Sequence, residues 1–280
     1  MKNLITTYCN AFKGDFMINH WLRSIREQVD LSNTDIMVID FGLSGQQVQA
    51  LHAKGVIVNK QQRPPGRMSN VQYQCLSEYL DHNPVYDQVL YSDCGDLIFQ
   101  ADVSHLFSLA PDRMRLVLEP DFNFNLHKVT LGLKDIRPEK IPLIRQVIGD
   151  RPTANCGFVL GPARKMASIW NEYAEICHSA EVHGTDQLVI NYICYRDGFE
   201  VLDEKYNYVA FLKRGKLHQD KDGFFLNARG RIPVVHNAGK YDFARTISGF
   251  GYRQGKIKPR FFTILFSWYY KMVDKATRTI

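Results

Sequence analysis

Two carboxylates stand close together in Asp93-Cys94-Gly95-Asp96, directly after the apolar run Asp87 to Tyr91, DQVLY. Paired Asp oxygens at a strand end, with a glycine between them to permit a tight turn, can hold a hard divalent cation. They also leave coordination positions open for phosphate oxygens. The same four residues, read alone, equally describe a capped turn. Other polar groups sit at comparable points: Thr6, Thr7 and Tyr8 close the first β-type run and Asp40 ends DIMVID. Each either meets a ligand beyond its strand or caps the loop that follows. Arg67, at the end of the Pro-Pro-Gly loop QQRPPGR, is either an anion contact or a solvated arginine.

These residues need elements to position them, and the chain supplies an alternation. Leu4 to Thr7 reads as a strand, and Ile18, Trp21, Leu22, Ile25 and Val29 recur at helical spacing. Asp35 to Asp40 reads as a buried strand. Ser44 caps the helix QQVQALHAK, Gly55 ends it, and Val56 to Val58 form a third strand. A helix over Ser69 to Asp81 then leads into DQVLY. Strands alternating with helices imply a parallel sheet covered on its faces, and such sheets bind ligands beyond their carboxyl ends, where Asp93 and Asp96 fall. After a strand at Arg115 to Leu118, the stretch from Phe122 to Pro152 has little periodicity and is broken by Pro138 and Pro142, so an inserted flap is expected there. Strand Cys156 to Leu160 follows. Next come a helix with Met166, Ile169, Trp170, Tyr173, Ile176 and Cys177 on one face, a helix from Thr185, and the closing run VVHNAG.

With 280 residues, 45% hydrophobic and 23% charged, the chain is of ordinary globular composition, which excludes disorder, collagen repeats and a disulfide scaffold. Its six cysteines form no C-x-x-C pair and several fall in apolar runs, as structural thiols of a reducing compartment do. The first strand is followed by TTYCNAFKG, without the G-x-G-x-x-G of a dinucleotide oxidoreductase. The net charge of +6 is uneven: from Lys240 onward nine Lys/Arg stand against two acids. Residues 241–280 are therefore expected to be a basic, aromatic, amphipathic helical tail. Arg253, Lys256, Lys258 and Arg260 precede FFTILFSWYY, and Lys271, Lys275 and Arg278 follow it. That apolar run is about half a membrane span, so it can lie on an anionic bilayer but not cross it. Nothing suggests nucleic acid. With no signal-peptide pattern at the start, a cytoplasmic protein, peripheral on the inner face of the membrane, is expected.

Six segments, in order, resemble the GT-A glycosyltransferases, and glycosyltransferase family 8 most: VIDFGLSGQQVQAL, YSDCGDLIFQADVSHLF, NCGFVLGP, TDQLVIN, EKYNY and VVHNAG. The resemblance implies an α/β GT-A fold, a Rossmann-like mixed sheet flanked by helices, over residues 1–240. It implies that Asp93, Asp96 and His236 hold the metal bridging a nucleotide-sugar diphosphate, with Mn²⁺ preferred over Mg²⁺ because an imidazole ligand suits it better. Thr6, Thr7, Tyr8 and Asp40 would then bind the nucleotide, and Arg67 the diphosphate or donor sugar. Asn155 and Gly157 would line the donor-sugar pocket, and Gly239 with Lys240 would bring a cation to the diphosphate. Asp186 would hydrogen-bond sugar hydroxyls, a role that can coexist with its being a favourable charge at a helix start, and Gln187 would lie near the anomeric carbon. The sequence departs from the family in having D-x-x-D for D-x-D, a lysine directly after Gly239, and no Pro-Trp after that lysine. The expected activity is metal-dependent sugar transfer from a nucleotide diphosphate donor, UDP-linked, to a hydroxyl of a glycan or lipid-linked saccharide. It would proceed with retention, in surface polysaccharide synthesis. The alternative is a non-catalytic GT-A-like nucleotide-sugar-binding or scaffold protein.

Overall fold

Strand β1 (Asn3–Cys9) shows why the sheet is central: Leu4 and Tyr8 point to one hydrophobic cluster while Ile5 and Cys9 point to another. A strand buried on both faces needs cover on both. The computed structural model, which describes residues 1–123, 134–212, 217–239 and 245–259, supplies it as three layers. β1 pairs in parallel with β2 (Thr34–Asp40) and with β4 (Gln88–Ser92), and β2 pairs in parallel with β3 (Ile57–Lys60). Beyond β4 lie β7 (Pro152–Pro162), β6 (Met114–Asn123) and β8 (Phe199–Leu202), giving the order β3-β2-β1-β4-β7-β6-β8. Only β7 runs against its neighbours.

One face is covered by α1 (Ala11–Phe16), a π-helical turn over Met17–Leu22 and α2 (Arg23–Gln28), which bury Met17, Ile18, Trp21, Leu22 and Ile25. It is completed by α3 (Gly45–His52), whose start has the reciprocal capping box of Ser44 and Gln47. The other face is covered by α4 (Met68–His82), α5 (Ile141–Ile148), α6 (Ala163–Ile176) and α7 (Thr185–Asp197). A small second sheet places β13 (Val234–His236) between β5 (Leu97–Phe99) and β9 (Tyr208–Val209).

Two expectations change. The stretch expected as a flap contains α5, with Ile144 and Ile148 buried against the core, and β7 starts at Pro152 rather than Cys156. Pro142 does not break α5, because it lies in the first turn, where the missing N–H is not needed. Residues 124–133 of that stretch lie outside the described residues. The tail expected from residue 241 begins as a hairpin instead, β14 (Ile247–Gly251) with β15 (Gln254–Ile257). Its Ile247, Phe250 and Tyr252 are buried in a third apolar cluster with Phe225 and Val235. The segment FFTILFSWYY lies outside the described residues, among which no helix is long and apolar enough to cross a membrane.

Candidate active site

β4 ends at Ser92 and β5 begins at Leu97, so Asp93 to Asp96 are the connection between the large sheet and the small one. The Asp93 N–H donates to the Gly157 carbonyl at 3.0 Å, which extends the β4–β7 pairing one step past the strand end. β13 pairs with β5 so that His236 stands opposite Leu97, next to Asp96. The register thus brings together residues 140 positions apart in sequence. The Nε2 of His236 lies 3.4 Å from Asp96 Oδ1 and 3.8 Å from Asp93 Oδ2. One ligand atom from each of the three lies within 4.8 Å of the others.

These groups fit a divalent cation. Two carboxylates and an imidazole form a hard, oxygen-rich donor set, and each is fixed by neighbours. The Tyr91 hydroxyl donates to Asp93 Oδ1 at 2.7 Å, and the Tyr91 ring stacks on that of Tyr8. Arg245 donates to Asp96 Oδ2 at 3.2 Å and, through Nε, to the Gly239 carbonyl at 3.1 Å. Lys13 at the start of α1 reaches the Gly95 carbonyl at 3.5 Å. The floor is Gly157: a Cβ there would fall 2.5 Å from His236 Cε1 and 3.0 Å from Asp93 Oδ2. Such contacts would displace both ligands, so glycine is required here for close approach rather than for backbone freedom. The extra residue of D-x-x-D does not separate the two acids; both carboxylates face His236.

The electrostatics fit a cation as well. Burial and then the charge of Asp96 raise Asp93 above the ordinary carboxylate range. Burial acts the same way on Asp96 but is outweighed by the hydrogen bond and charge of His236, with Lys13 and Arg245 adding to it, so Asp96 is lowered. Burial lowers His236, and its bond to Asp96 outweighs that, leaving the imidazole raised. Two acids this close are held apart in their affinity for protons.

Asp186 arrives from the opposite face. It lies in the first turn of α7, which Gly184 enters at φ +88°. Asn70 of α4 holds that entry: its Oδ1 accepts from the Asp186 N–H at 3.1 Å, and its Nδ2 donates to the carbonyls of Ala180 and Val182 at 2.8 and 2.9 Å. The buried Asp135 carboxylate accepts from Glu181 N at 3.1 Å, from Val182 N and Thr185 Oγ1 at 2.8 Å each, and from the Ser179 hydroxyl. Burial pushes the Asp186 carboxyl up to about 7; the Gln187 N–H partly offsets this and the charge of Asp93 adds to it. A carboxyl poised near neutrality beside a carboxylate pair is a functional pattern.

The remaining expected residues are placed as follows. Tyr8 is half-buried beside Asp93 and Asp186, and burial followed by their charges raises its hydroxyl. Thr6 and Thr7 are fully buried in β1 behind Tyr8. Asp40 Oδ1 accepts from the N–H groups of Gly42 and Leu43 at 2.8 and 2.6 Å, so it caps the loop after β2. Arg67 is exposed and donates to the Glu181 carbonyl at 2.8 Å, tying the loop before α4 to the loop before α7. Asn155 is buried, with its amide turned toward Glu119 and Asn207. Gly239 adjoins Arg245, and Lys240 lies outside the described residues. Sequence reasoning missed Tyr91, which holds Asp93 two residues on, and Asn70, Asp135, Asn207, Lys13 and Arg245, which act through partners far along the chain. Only Arg245, a cation shortly after Gly239, left a signal where one was expected.

No family model matches the chain, and no curated protein does. Solved structures do. A crystal structure of the galactosyltransferase LgtC in complex with donor and acceptor sugar analogs matches with a TM-score of 0.54 at 15% identity, covering 96% of this chain and 95% of that one. An active-site variant of LgtC matches at TM-score 0.57 and 14% identity, covering 95% of each chain. The bifunctional glycosyltransferase WbbM, in its apo structure, matches at 0.54 and 12%, over 88% of this chain and 47% of that one. At these identities the likeness concerns architecture, and the chain has the GT-A fold.

Proposed function

We propose that the protein is a metal-dependent glycosyltransferase of the family 8 kind, taking its sugar from a nucleotide diphosphate donor, UDP-linked. The observation that carries this is the convergence of Asp93, Asp96 and His236, within 4.8 Å, at the carboxyl end of β4. Beside it stands Asp186, poised at about 7. Asp93, Asp96 and His236 would hold the cation, Mn²⁺ by preference, which supplies Lewis-acid neutralisation of the charge that builds on a departing diphosphate. Lys13 and Arg245 add fixed positive charge to that wall. Asp186 accepts hydrogen bonds from donor-sugar hydroxyls, and Gln187, next on the same turn, lies beside the anomeric carbon. Tyr8 flanks the nucleotide, Asp40 holds the loop after β2 beneath it, and Arg67 guards the donor-side rim.

In the retaining course, the acceptor hydroxyl oxygen bonds to the anomeric carbon on the face from which the diphosphate departs. The C–O bond to phosphate breaks, its electron pair leaves with the diphosphate, and the acceptor proton passes to a departing phosphate oxygen. The acceptor is a glycan or lipid-linked saccharide, and the basic residues of the C-terminal segment hold the enzyme at an anionic membrane surface.

The test is a thermal-shift screen of UDP-, GDP-, CMP- and TDP-sugars with and without Mn²⁺. A ligand bound by the native state alone at a hundred times its Kd adds about 2.7 kcal/mol of stability. A rise with a UDP-sugar only when Mn²⁺ is present is expected. A folded protein that shifts with none of them would sink the proposal.

A further inference from the structure

His236 is usable as a cation ligand at Nε2 only if its ring proton sits on Nδ1, and the surrounding bonds decide where that proton is. Its Nδ1 lies 2.9 Å from Asn207 Oδ1. Asn207 Nδ2 lies 2.8 Å from Asn155 Oδ1, and the same oxygen is 2.8 Å from the backbone nitrogen of Gly157. The other end of the Asn155 amide meets the Glu119 carboxylate. Asn155, Asn207 and His236 are 8%, 2% and 4% exposed, so water does not stand in for a missing partner.

The orientation of every group in this relay follows from its two ends. The Gly157 N–H is a donor and nothing else, so the Asn155 atom facing it is the oxygen. The Asn155 NH₂ is thereby turned to Glu119, which as a carboxylate accepts. Asn207 must then present its NH₂ to the Asn155 oxygen, which leaves its own oxygen facing His236. An oxygen at 2.9 Å is a partner for a ring N–H and not for a ring lone pair.

We propose that Asn207, oriented by Asn155 and anchored through Gly157 and Glu119, is the positioning residue that fixes His236 as the Nδ1–H tautomer and aims the Nε2 lone pair between Asp93 and Asp96. Asn207 reaches this place because β9, which begins at the next residue, pairs with β13 so that Val209 stands beside His236. One strand of the small sheet, β13, carries the ligand side chain, and the entry to its neighbour β9 sets that ligand's proton.

The ¹⁵N shifts of His236 in metal-free protein at alkaline pH, assigned with a His236→Gln variant, report the tautomer directly. The Nδ1–H form is expected in the wild type, with a move toward Nε2–H in Asn207→Leu. An Nε2–H wild type, or no change in Asn207→Leu, overturns the proposal. A titration with Mn²⁺ alone gives a second readout, which rests on the metal site proposed for Asp93, Asp96 and His236. Asn207→Leu should weaken Mn²⁺ about 10- to 100-fold, and Asn207→Asp, which keeps an acceptor on Nδ1, should fall nearer the wild type. Equal affinity in wild type and Asn207→Leu overturns the relay. A wild type that takes up no Mn²⁺ removes the metal site, and the ¹⁵N shifts then decide the relay alone. If Asn207→Leu does not fold, Asn207→Asp carries both readouts against wild type: retained Nδ1–H supports the relay and a switch to Nε2–H overturns it.

Discussion

Asp93 and Asp186 are both raised by burial, and substitution tests each in turn. Asp93→Ala removes one of the two carboxylates that face His236, and should abolish Mn²⁺-dependent turnover while the melting temperature of the metal-free protein stays level or rises. Turnover that still responds to Mn²⁺ would take Asp93 out of the metal site. Asp186, raised to about 7 in the fold, titrates at about 3.9 when unfolded. Between those values the native state holds a proton that the unfolded chain has lost, so stability falls as pH rises from about 4 to about 7. Asp186→Asn should flatten that slope in chelator-treated protein and leave it more stable than wild type at pH about 8, at a cost in activity. An Asp186→Asn slope equal to that of the wild type over that interval would show that the burial of Asp186 is relieved in solution. Asp93 was legible in the sequence because a strand end needs only local pattern. His236 was named through resemblance, and Asn207, though it stands in the segment EKYNY, was given no role, because a pairing of two buried amides leaves no periodic trace.

Among the elements, the entry to α7 depends on residues outside it. Asp135 satisfies the N–H groups of Glu181 and Val182 and the Thr185 hydroxyl from beside the C-terminal end of α6. Asp135→Asn would set amide hydrogens against those donors. A loss of about 1–3 kcal/mol is expected for unsatisfied buried groups, read as a lowered denaturation midpoint. Hydrogen exchange should rise at residues 179–186 before it rises in β4. Uniform exchange gains across the sheet would mean that Asp135 serves the core rather than this loop. Elements whose signals are local were readable: the helix cap at Ser44, the strands β1, β2 and β4, and the apolar stripe of α6. α5 was hidden because Pro142 reads as a breaker in sequence, yet its place in the first turn makes it harmless. The β14–β15 hairpin was hidden because its positive charge suggests a tail, while its burial depends on Phe225 and Val235, which no local window contains.

At the scale of the molecule, the hairpin changes what a truncation tests. Cutting after Gly255 would remove half of β15 and expose Ile247, whereas cutting after Pro259 leaves the hairpin whole. The shorter chain, 1–259, should fold and keep its Mn²⁺ affinity while losing retention on anionic phosphatidylserine vesicles in sedimentation. Undiminished retention would place the membrane contact elsewhere. The sheet order carries a different consequence. β7 is the strand that runs against its neighbours, so its early residues, Asn155 to Gly157, stand where the other strands end. This side of the site is therefore fixed ladder, with no slack to lengthen or re-sequence. The connections before α4 and α7 are loops instead, tied to each other by Arg67 and Asn70. Among the described residues, then, any attempt to retarget the protein is expected to be tolerated first in the connections 61–67 and 178–184, while the strand floored by Gly157 stays as it is.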